Sequence, residues 1–312
     1  MKKYGAIDIG TNSIRLLIAE VEKGQIVSSY KTLETTRIGE NVDKTGALSE
    51  AAMERSTCAI KAFVDEAKAR GVQEIGIIAT SAVRDAENRN VFLRKVKETA
   101  KVNIEVISGE REAYLGFLGV LKGSKNPREN VIVVDIGGGS TEFIMGNHEG
   151  IQHLISLNVG SVRMTEKYIS QDPVNIREVE AMKKGIDAII GKTIQSLKQY
   201  PFDRVIGIGG TVTTAAALHK ELLIYDREQI HNFDLSLTDL KILWNSLQHK
   251  TLEERKEMPG LHPKRADVII AGTGILDRIL TLLGVESVRI SEYDNLEGLV
   301  FEQIEKENGK NT

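Results

Sequence analysis

Three glycine-rich runs hold the residues of this chain best suited to chemistry: Asp8-Ile-Gly-Thr-Asn-Ser13, Asp135-Ile-Gly-Gly-Gly-Ser140 and Gly207-Ile-Gly-Gly-Thr211. Each begins in or directly follows a short apolar run with the character of a buried strand. Glycines carry no Cβ, so the amide N–H groups of Gly137, Gly138 and Gly139 can approach an anion closely, and the hydroxyls of Ser140 and Thr141 add donors. A carboxylate at a strand end does not bind phosphate itself. Its natural task there is to hold a divalent cation, directly or through water, that neutralises phosphate oxygens. Asp135 stands at that place, and Glu142, two residues beyond Ser140 on the same side of its strand, supplies a second carboxylate. Taken alone, a Gly-Gly-Gly run is equally well a tight hairpin; the two companion loops shift the balance to anion binding. Gly209, Gly210 and Thr211 end a strand and open a helix, where N–H groups and the helix dipole favour an anion. No loop has the Gly-Lys-Ser/Thr ending of a Walker A sequence, nor the Rossmann spacing.

The elements that must position these loops are legible from apolar periodicity. Strands are expected at 4–9, 14–21 and 26–31, then a helix capped by Ser49 and ended by Gly71, with Met53, Thr57, Ile60, Val64 and Ala67 on one face. A strand (75–79), a helix (88–100), a strand (104–107) and a helix (110–121) follow, giving an α/β domain with a mixed sheet. The polar stretch Gly123–Asn130 reads as a linker. Beyond it the pattern repeats: strands at 131–136, 141–145 and 151–157 surround the Asp135 loop. A shift of 127 places Asp8 on Asp135, Gly10 on Gly137, Ser13 on Ser140 and Arg15 on Glu142, the mark of an internal duplication. Helices at 161–169 and 176–199, a strand at 204–208, a helix from Gly209 and helices at 239–248 and 266–283 come next. A strand at 287–290 and an amphipathic tail from Asn295 complete the chain. The boundaries drawn from this are 1–124 and 125–294, with the tail 295–312 able to pack back on either domain, the first being the one named for it.

The 312 residues suit two domains, and a hydrophobic content of 41% with 27% charged residues is that of a globular protein. A net charge of -3 argues against a nucleic-acid partner held by a basic surface. A single cysteine, Cys58, rules out an intramolecular disulfide and fits a reducing, cytoplasmic compartment. No segment has the length and apolarity of a membrane span, so no membrane partner is expected. Arg89, Arg94, Lys95 and Lys97 read as a solvated helix face, Trp244 as a packing anchor, and the six histidines show no metal-ligand spacing.

Six motifs in order, Ala6–Arg15, Ala79–Asn88, Val106–Ala113, Val134–Glu142, Gly207–Thr211 and Arg265–Asp267, resemble those of the exopolyphosphatase and guanosine pentaphosphate phosphatase family. That family lies within the superfamily of actin-like ATPases and sugar or acetate kinases. The resemblance implies two duplicated actin-like (ribonuclease H-like) domains, each a mixed sheet with flanking helices, around a central cleft. It implies hydrolysis of a terminal phosphoanhydride by metal-assisted attack of water, with Mg²⁺ or another divalent cation held by Asp135 and Glu142. Glu112, directly before the motif's Ala113, would be the general base, with Glu110 as runner-up. A glutamate in a first helical turn also has an ordinary explanation in the dipole, which the motif context outweighs. Arg84, Asn12, Ser13, Gly137–Ser140 and Gly209–Thr211 would be the phosphate contacts. Arg15 fits the same cleft, or equally pairs with Glu142 or a neighbouring acid. With no His-Asp dipeptide, the chain resembles the short, two-domain form of the family. Polyphosphate is the leading substrate, with guanosine pentaphosphate the alternative; an actin-fold kinase and a non-catalytic alarmone binder are the rivals. A homodimer is expected by base rate only.

Overall fold

The computed structural model describes residues 1–124 and 126–310, which divide into two compact units: Met1–Lys122 with Tyr293–Thr312, and Gly123–Glu292. Lys125, where the second domain was expected to begin, and residues 311–312, at the end of the expected tail, lie outside the described residues.

The first unit opens with β1 (Lys2–Ile9), β2 (Ile14–Glu22) and β3 (Gln25–Glu34). It continues through α1 (Val42–Thr45), α2 (Glu50–Ala69), β4 (Ile75–Ala79), α3 (Ser81–Asp85), α4 (Arg89–Ala100), β5 (Glu105–Val106) and α5 (Gly109–Gly123). Its five-stranded sheet has the order β3-β2-β1-β4-β5, with β1 antiparallel to β2 and parallel to β4. The near-continuous apolar run of β1 is explained by cover on both faces. Ile7 and Ile9 enter one core with Leu16, Ile18, Ile60 and Phe92, while Tyr4 and Ala6 enter another with Leu17, Leu299 and Phe301. Ser49 caps α2 by accepting the N–H of Ala52, a device worth about 1 kcal/mol. Gly71 leaves that helix at φ 87°, a left-handed geometry that suits glycine. The expected face of α2, Met53, Thr57, Ile60, Val64 and Ala67, is buried.

The second unit holds β6 (Val131–Ile136), β7 (Thr141–Asn147), β8 (Gly150–Leu157), α6 (Ser161–Tyr168), α7 (Ile176–Leu197), β9 (Arg204–Ile208) and α8 (Gly209–His219). Next are α9 (Arg227–Ile230), β10 (Asp234–Ser236), α10 (Leu237–His249), α11 (Leu252–Lys256), a 3-10 turn (Pro263–Arg265), α12 (Ile269–Leu283) and β11 (Ser287–Ile290). Six strands form one sheet in the order β10-β11-β9-β6-β7-β8. Asn175 and Glu178 close a reciprocal capping box on α7. Of the apolar run at 266–283, expected to be one helix, α12 takes Ile269–Leu283, starting after the 3-10 turn. It is buried on nearly every side, and Trp244 donates its indole N–H to the Ile270 carbonyl at 2.9 Å. The last helix, α13 (Asn295–Lys310), belongs to the first unit, where Leu296, Leu299, Val300, Phe301 and Ile304 join the core of β1 and β2. Its close approach to α5 depends on missing side chains: a Cβ at Gly298 would strike the Leu115 carbonyl, and one at Gly119 the Asp294 carbonyl. No described helix is long and apolar enough to cross a membrane.

Candidate functional site

Both sheets present their glycine loops at the carboxyl ends of parallel strands, where open α/β sheets receive ligands. In the first unit these ends belong to β1, which leads into Gly10–Ser13, and β4, which leads into Thr80 and α3; the strands are in parallel register at Ile9 and Ala79. In the second unit they belong to β6, leading into Gly137–Ser140, and β9, leading into Gly209–Thr211, in register at Asp135 and Ile208.

The first-unit loop is a tight turn closed by the Gly10 N–H donated to the Ser13 carbonyl at 3.1 Å. Its outward carbonyls are tied down: Thr11 accepts the Gly39 N–H and Asn12 the Arg37 N–H, each at 2.9 Å. In a planar trans peptide the N–H points opposite to the C=O, so the amides of Asn12 and Ser13 face away from the 37–39 segment. Asn12 and Ser13 are buried, and the Thr11 and Ser81 hydroxyls meet at 2.9 Å, joining this loop to α3. Arg84, on the last turn of α3, donates to the Ile107 carbonyl at 3.0 Å and to Glu112 Oε2 at 3.3 Å. Glu112 is buried on the first turn of α5, whereas Glu110 is exposed. The guanidinium beside Glu112 offsets the cost of burying its charge.

Arg15 has the partners that its neighbouring-acid reading required. It donates to both Asp8 and Asp294, and Glu142 accepts instead from Ser156 Oγ at 2.7 Å. Burial pushes the Asp8 carboxyl up from its ordinary value, against the attraction of Arg15. Asp294 is pulled the other way: although burial acts to raise it, Arg15, Lys31 and the Leu296 N–H together hold it below the usual carboxylate range. Asp8 Oδ1 and Asn12 Oδ1 are buried acceptors that make no hydrogen bond among the described residues.

In the second unit the Gly137 N–H is donated to the Ser140 carbonyl at 3.0 Å, repeating the closure of the first loop. The start of α6 takes up the loop's carbonyls: Gly137 accepts from the Ser161 N–H and Gly138 from the Val162 N–H, both at 2.9 Å, and Gly139 accepts from Arg163 Nε at 2.7 Å. The amides of Gly138, Gly139 and Ser140 therefore face away from α6, as an oxyanion requires. Gly160 permits this contact, since a Cβ there would strike the Gly138 backbone. Arg163 has no signature in the sequence that would have pointed to this task. The Thr141 hydroxyl is committed to the Val159 carbonyl rather than to a ligand.

Gly209 turns at φ 81° with Asp135 Oδ1 where its Cβ would be, and the Arg265 guanidinium lies over Gly210 in the same way. No side chain caps α8, whose first turn is Gly209, Gly210 and Thr211. Its first N–H groups are therefore not taken up by a capping side chain among the described residues. Arg265, in one of the six motifs but without an assigned role there, thus joins the cradle.

Asp135 and Glu142 face each other across β6 and β7, both buried. Directly opposed residues of an antiparallel pair share a face with Cβ atoms about 4.5–5.5 Å apart, where two like charges repel. That pair fits a divalent cation of the Mg²⁺ type, which uses one or two carboxylates and completes its shell with water and phosphate oxygens. No group of three or more histidine, cysteine or acidic side chains able to hold a metal by themselves occurs among the described residues.

Two mixed sheets, each opening on an Asp-Ile-Gly loop, define an actin-like α/β protein. The model of the Ppx/GppA phosphatase family matches residues 17–307, and the chain belongs to that family. It is 41% identical over 310 residues to the bifunctional 3-dehydroquinate synthase/phosphatase of Fusobacterium nucleatum, covering 96% of this chain and 46% of that protein. To exopolyphosphatase 2 of Mycobacterium tuberculosis it is 31% identical, over 96% of this chain and 98% of the other. The crystal structure of the Aquifex aeolicus Ppx/GppA family member superposes with a TM-score of 0.82 at 32% identity, covering 98% of this chain and 99% of that one. The chain spans only 59% of the guanosine-5'-triphosphate,3'-diphosphate pyrophosphatase of Vibrio parahaemolyticus, to which it is 30% identical over 97% of its own length.

Proposed function

We propose that this chain is an exopolyphosphatase, releasing the terminal phosphate of inorganic polyphosphate. Water attacks the terminal phosphorus, its proton passes to Glu112, and the anhydride P–O bond breaks as the shortened chain leaves. Asn12, Ser13, Arg84, Gly137–Ser140 and Gly209–Thr211 hold phosphate oxygens. Asp135 and Glu142 would hold the divalent cation, which supplies neutralising charge to those oxygens. The observation that carries this reading is the orientation of the two loops: carbonyls tied back, amides turned outward. Burial of Glu112 beside Arg84, against exposure of Glu110, supports Glu112 as the base.

The alternative is release of the 5'-terminal phosphate of guanosine pentaphosphate, because the same cradle serves any terminal phosphoanhydride and one relative's name carries that nucleotide chemistry. The lone cysteine keeps a cytoplasmic location as the expectation. The test is phosphate release from long-chain polyphosphate and from guanosine pentaphosphate, each with Mg²⁺, by wild type and Glu112→Gln. A fall of about 10²–10⁴-fold in kcat is expected for the variant. Silence of the wild type on both substrates would sink the hydrolase reading; a fully active Glu112→Gln would refute only its base.

A further inference from the structure

The cradle of the second unit has a neighbour that the phosphate chemistry leaves unused. Strand β11 runs parallel to β9, with Ile290 opposite Gly207, and the Ser291 N–H is donated to the Gly207 carbonyl at 2.9 Å. Glu292 therefore emerges at the same edge of the sheet as Gly209, one strand over, or about 5 Å away in the hydrogen-bonding direction. Three groups from the segment after α8 gather on this buried residue, two of them on its carboxylate. The Tyr225 hydroxyl donates to Oε1, Arg227 Nε donates to Oε2 at 3.1 Å, and His231 Nδ1 accepts the Glu292 N–H at 3.2 Å. The Tyr225 hydroxyl oxygen also lies beside the Thr213 side chain, just past the first turn of α8. Tyr225 is thus fastened by its hydroxyl to Glu292 and lies beside α8, while the residue as a whole stays about half exposed (49%).

The residues before it are more exposed still, Leu223 at 89% and Ile224 at 84%. Single exposed apolar side chains are ordinary, but a consecutive Leu-Ile-Tyr run rooted beside a phosphate cradle is a candidate contact surface. Polyphosphate is anionic oxygen along its whole length and gains nothing from leucine and isoleucine side chains. A nucleoside polyphosphate carries both chemistries: phosphates for the helix N-terminus, and a flat base for an aromatic and aliphatic platform.

We propose that the Leu223–Tyr225 loop is a nucleoside platform, on which the base of a nucleoside polyphosphate lies while its phosphates run to Gly209–Thr211. The hydrogen bond from Tyr225 to Glu292 anchors the end of this loop beside strand β11. The proposal rests on the phosphate-binding reading of that cradle and adds what would separate nucleotide from inorganic substrate.

Calorimetric titration of the full chain with GDP and with inorganic tripolyphosphate, both with Mg²⁺, tests it on wild type, Leu223→Ser/Ile224→Ser and Tyr225→Phe. The double substitution is expected to weaken GDP about ten-fold and tripolyphosphate by less than about two-fold, as loss of a base-contacting surface requires. Tyr225→Phe keeps the ring but frees it from Glu292, so it is expected to weaken GDP by a smaller factor, again more than tripolyphosphate. Equal weakening of both ligands, or unaltered GDP binding in the double variant, would overturn the platform. Failure of tripolyphosphate to bind the wild type would instead overturn the cradle on which it rests.

Discussion

The Asp8 and Asp135 loops share one backbone plan but have different cross-strand partners. In each, an Asp-Ile-Gly strand end turns through four residues and is closed by an N–H···O=C bond from the first glycine to the serine, Gly10 to Ser13 and Gly137 to Ser140. In each, the aspartate stands opposite the residue seven positions later, Asp8 opposite Arg15 and Asp135 opposite Glu142. In each, the loop carbonyls are tied back so that amides face outward. The difference lies in one cross-strand partner. Arg15 pairs with both Asp8 and Asp294, whereas Glu142 sets a second carboxylate opposite Asp135. We read the first arrangement as an internal ion pair that braces its loop and the second, under the proposed function, as the place a divalent cation would take. The supports also differ, an irregular segment at 37–39 for the first loop and the start of α6 for the second.

If that contrast is right, the two cross-strand partners should fail in opposite ways. Arg15→Met would strand two buried carboxylates and is expected to cost about 3–5 kcal/mol of stability by urea unfolding. Glu142→Gln should leave stability without Mg²⁺ nearly unchanged or raised, because it removes a repulsion. It should lower Mg²⁺-dependent kcat/KM about 100-fold, the loss of charge neutralisation at the phosphate. Equal stability losses at both positions would erase the distinction.

The supports can be compared next. Gly160→Ala drives a methyl group into the Gly138 backbone, which cannot swing aside, so about 1–3 kcal/mol is expected. Gly39→Ala meets the Thr11 and Ala82 side chains, and Thr11 can move, so its cost should be the smaller of the two. The reverse order in thermal unfolding would mean that the 37–39 segment, not α6, is the stiffer support.

The smallest expected effect is the pH dependence of the first loop. The Asp294 carboxyl is held below its ordinary value, so the stability it contributes is full above about pH 4 and fades as pH falls through the folded-state value. Asp8 is raised, so its folded form takes up a proton first and stability gains from it as pH falls. The stability gap between wild type and Asp294→Asn should therefore be widest at neutral pH and close below about pH 4. A gap that does not change with pH would remove the charge from the account of this clamp.

The strands, the main helices, the three glycine loops at strand ends and the 127-residue duplication were legible from sequence because each is a short-range pattern. Alternating or continuous apolar runs mark strands, a 3.6 period marks helices, and runs of glycine mark places where backbone must approach a ligand. Even the opposition of Asp135 and Glu142 follows from counting along a tight turn. Short elements such as α3, α9 and β10 were not legible, since a few residues carry no period. Partner choice was not legible either. Arg15 had three open readings until the chain's return brought Asp294, 279 residues away in sequence, into contact with it. Glu110 and Glu112 look alike in a first helical turn; packing of α5 exposed one and buried the other against Arg84. Sequence therefore determined which groups exist and where along the chain the backbone bends. Only the tertiary structure decided which charges meet, because such pairings depend on packing between segments remote in sequence.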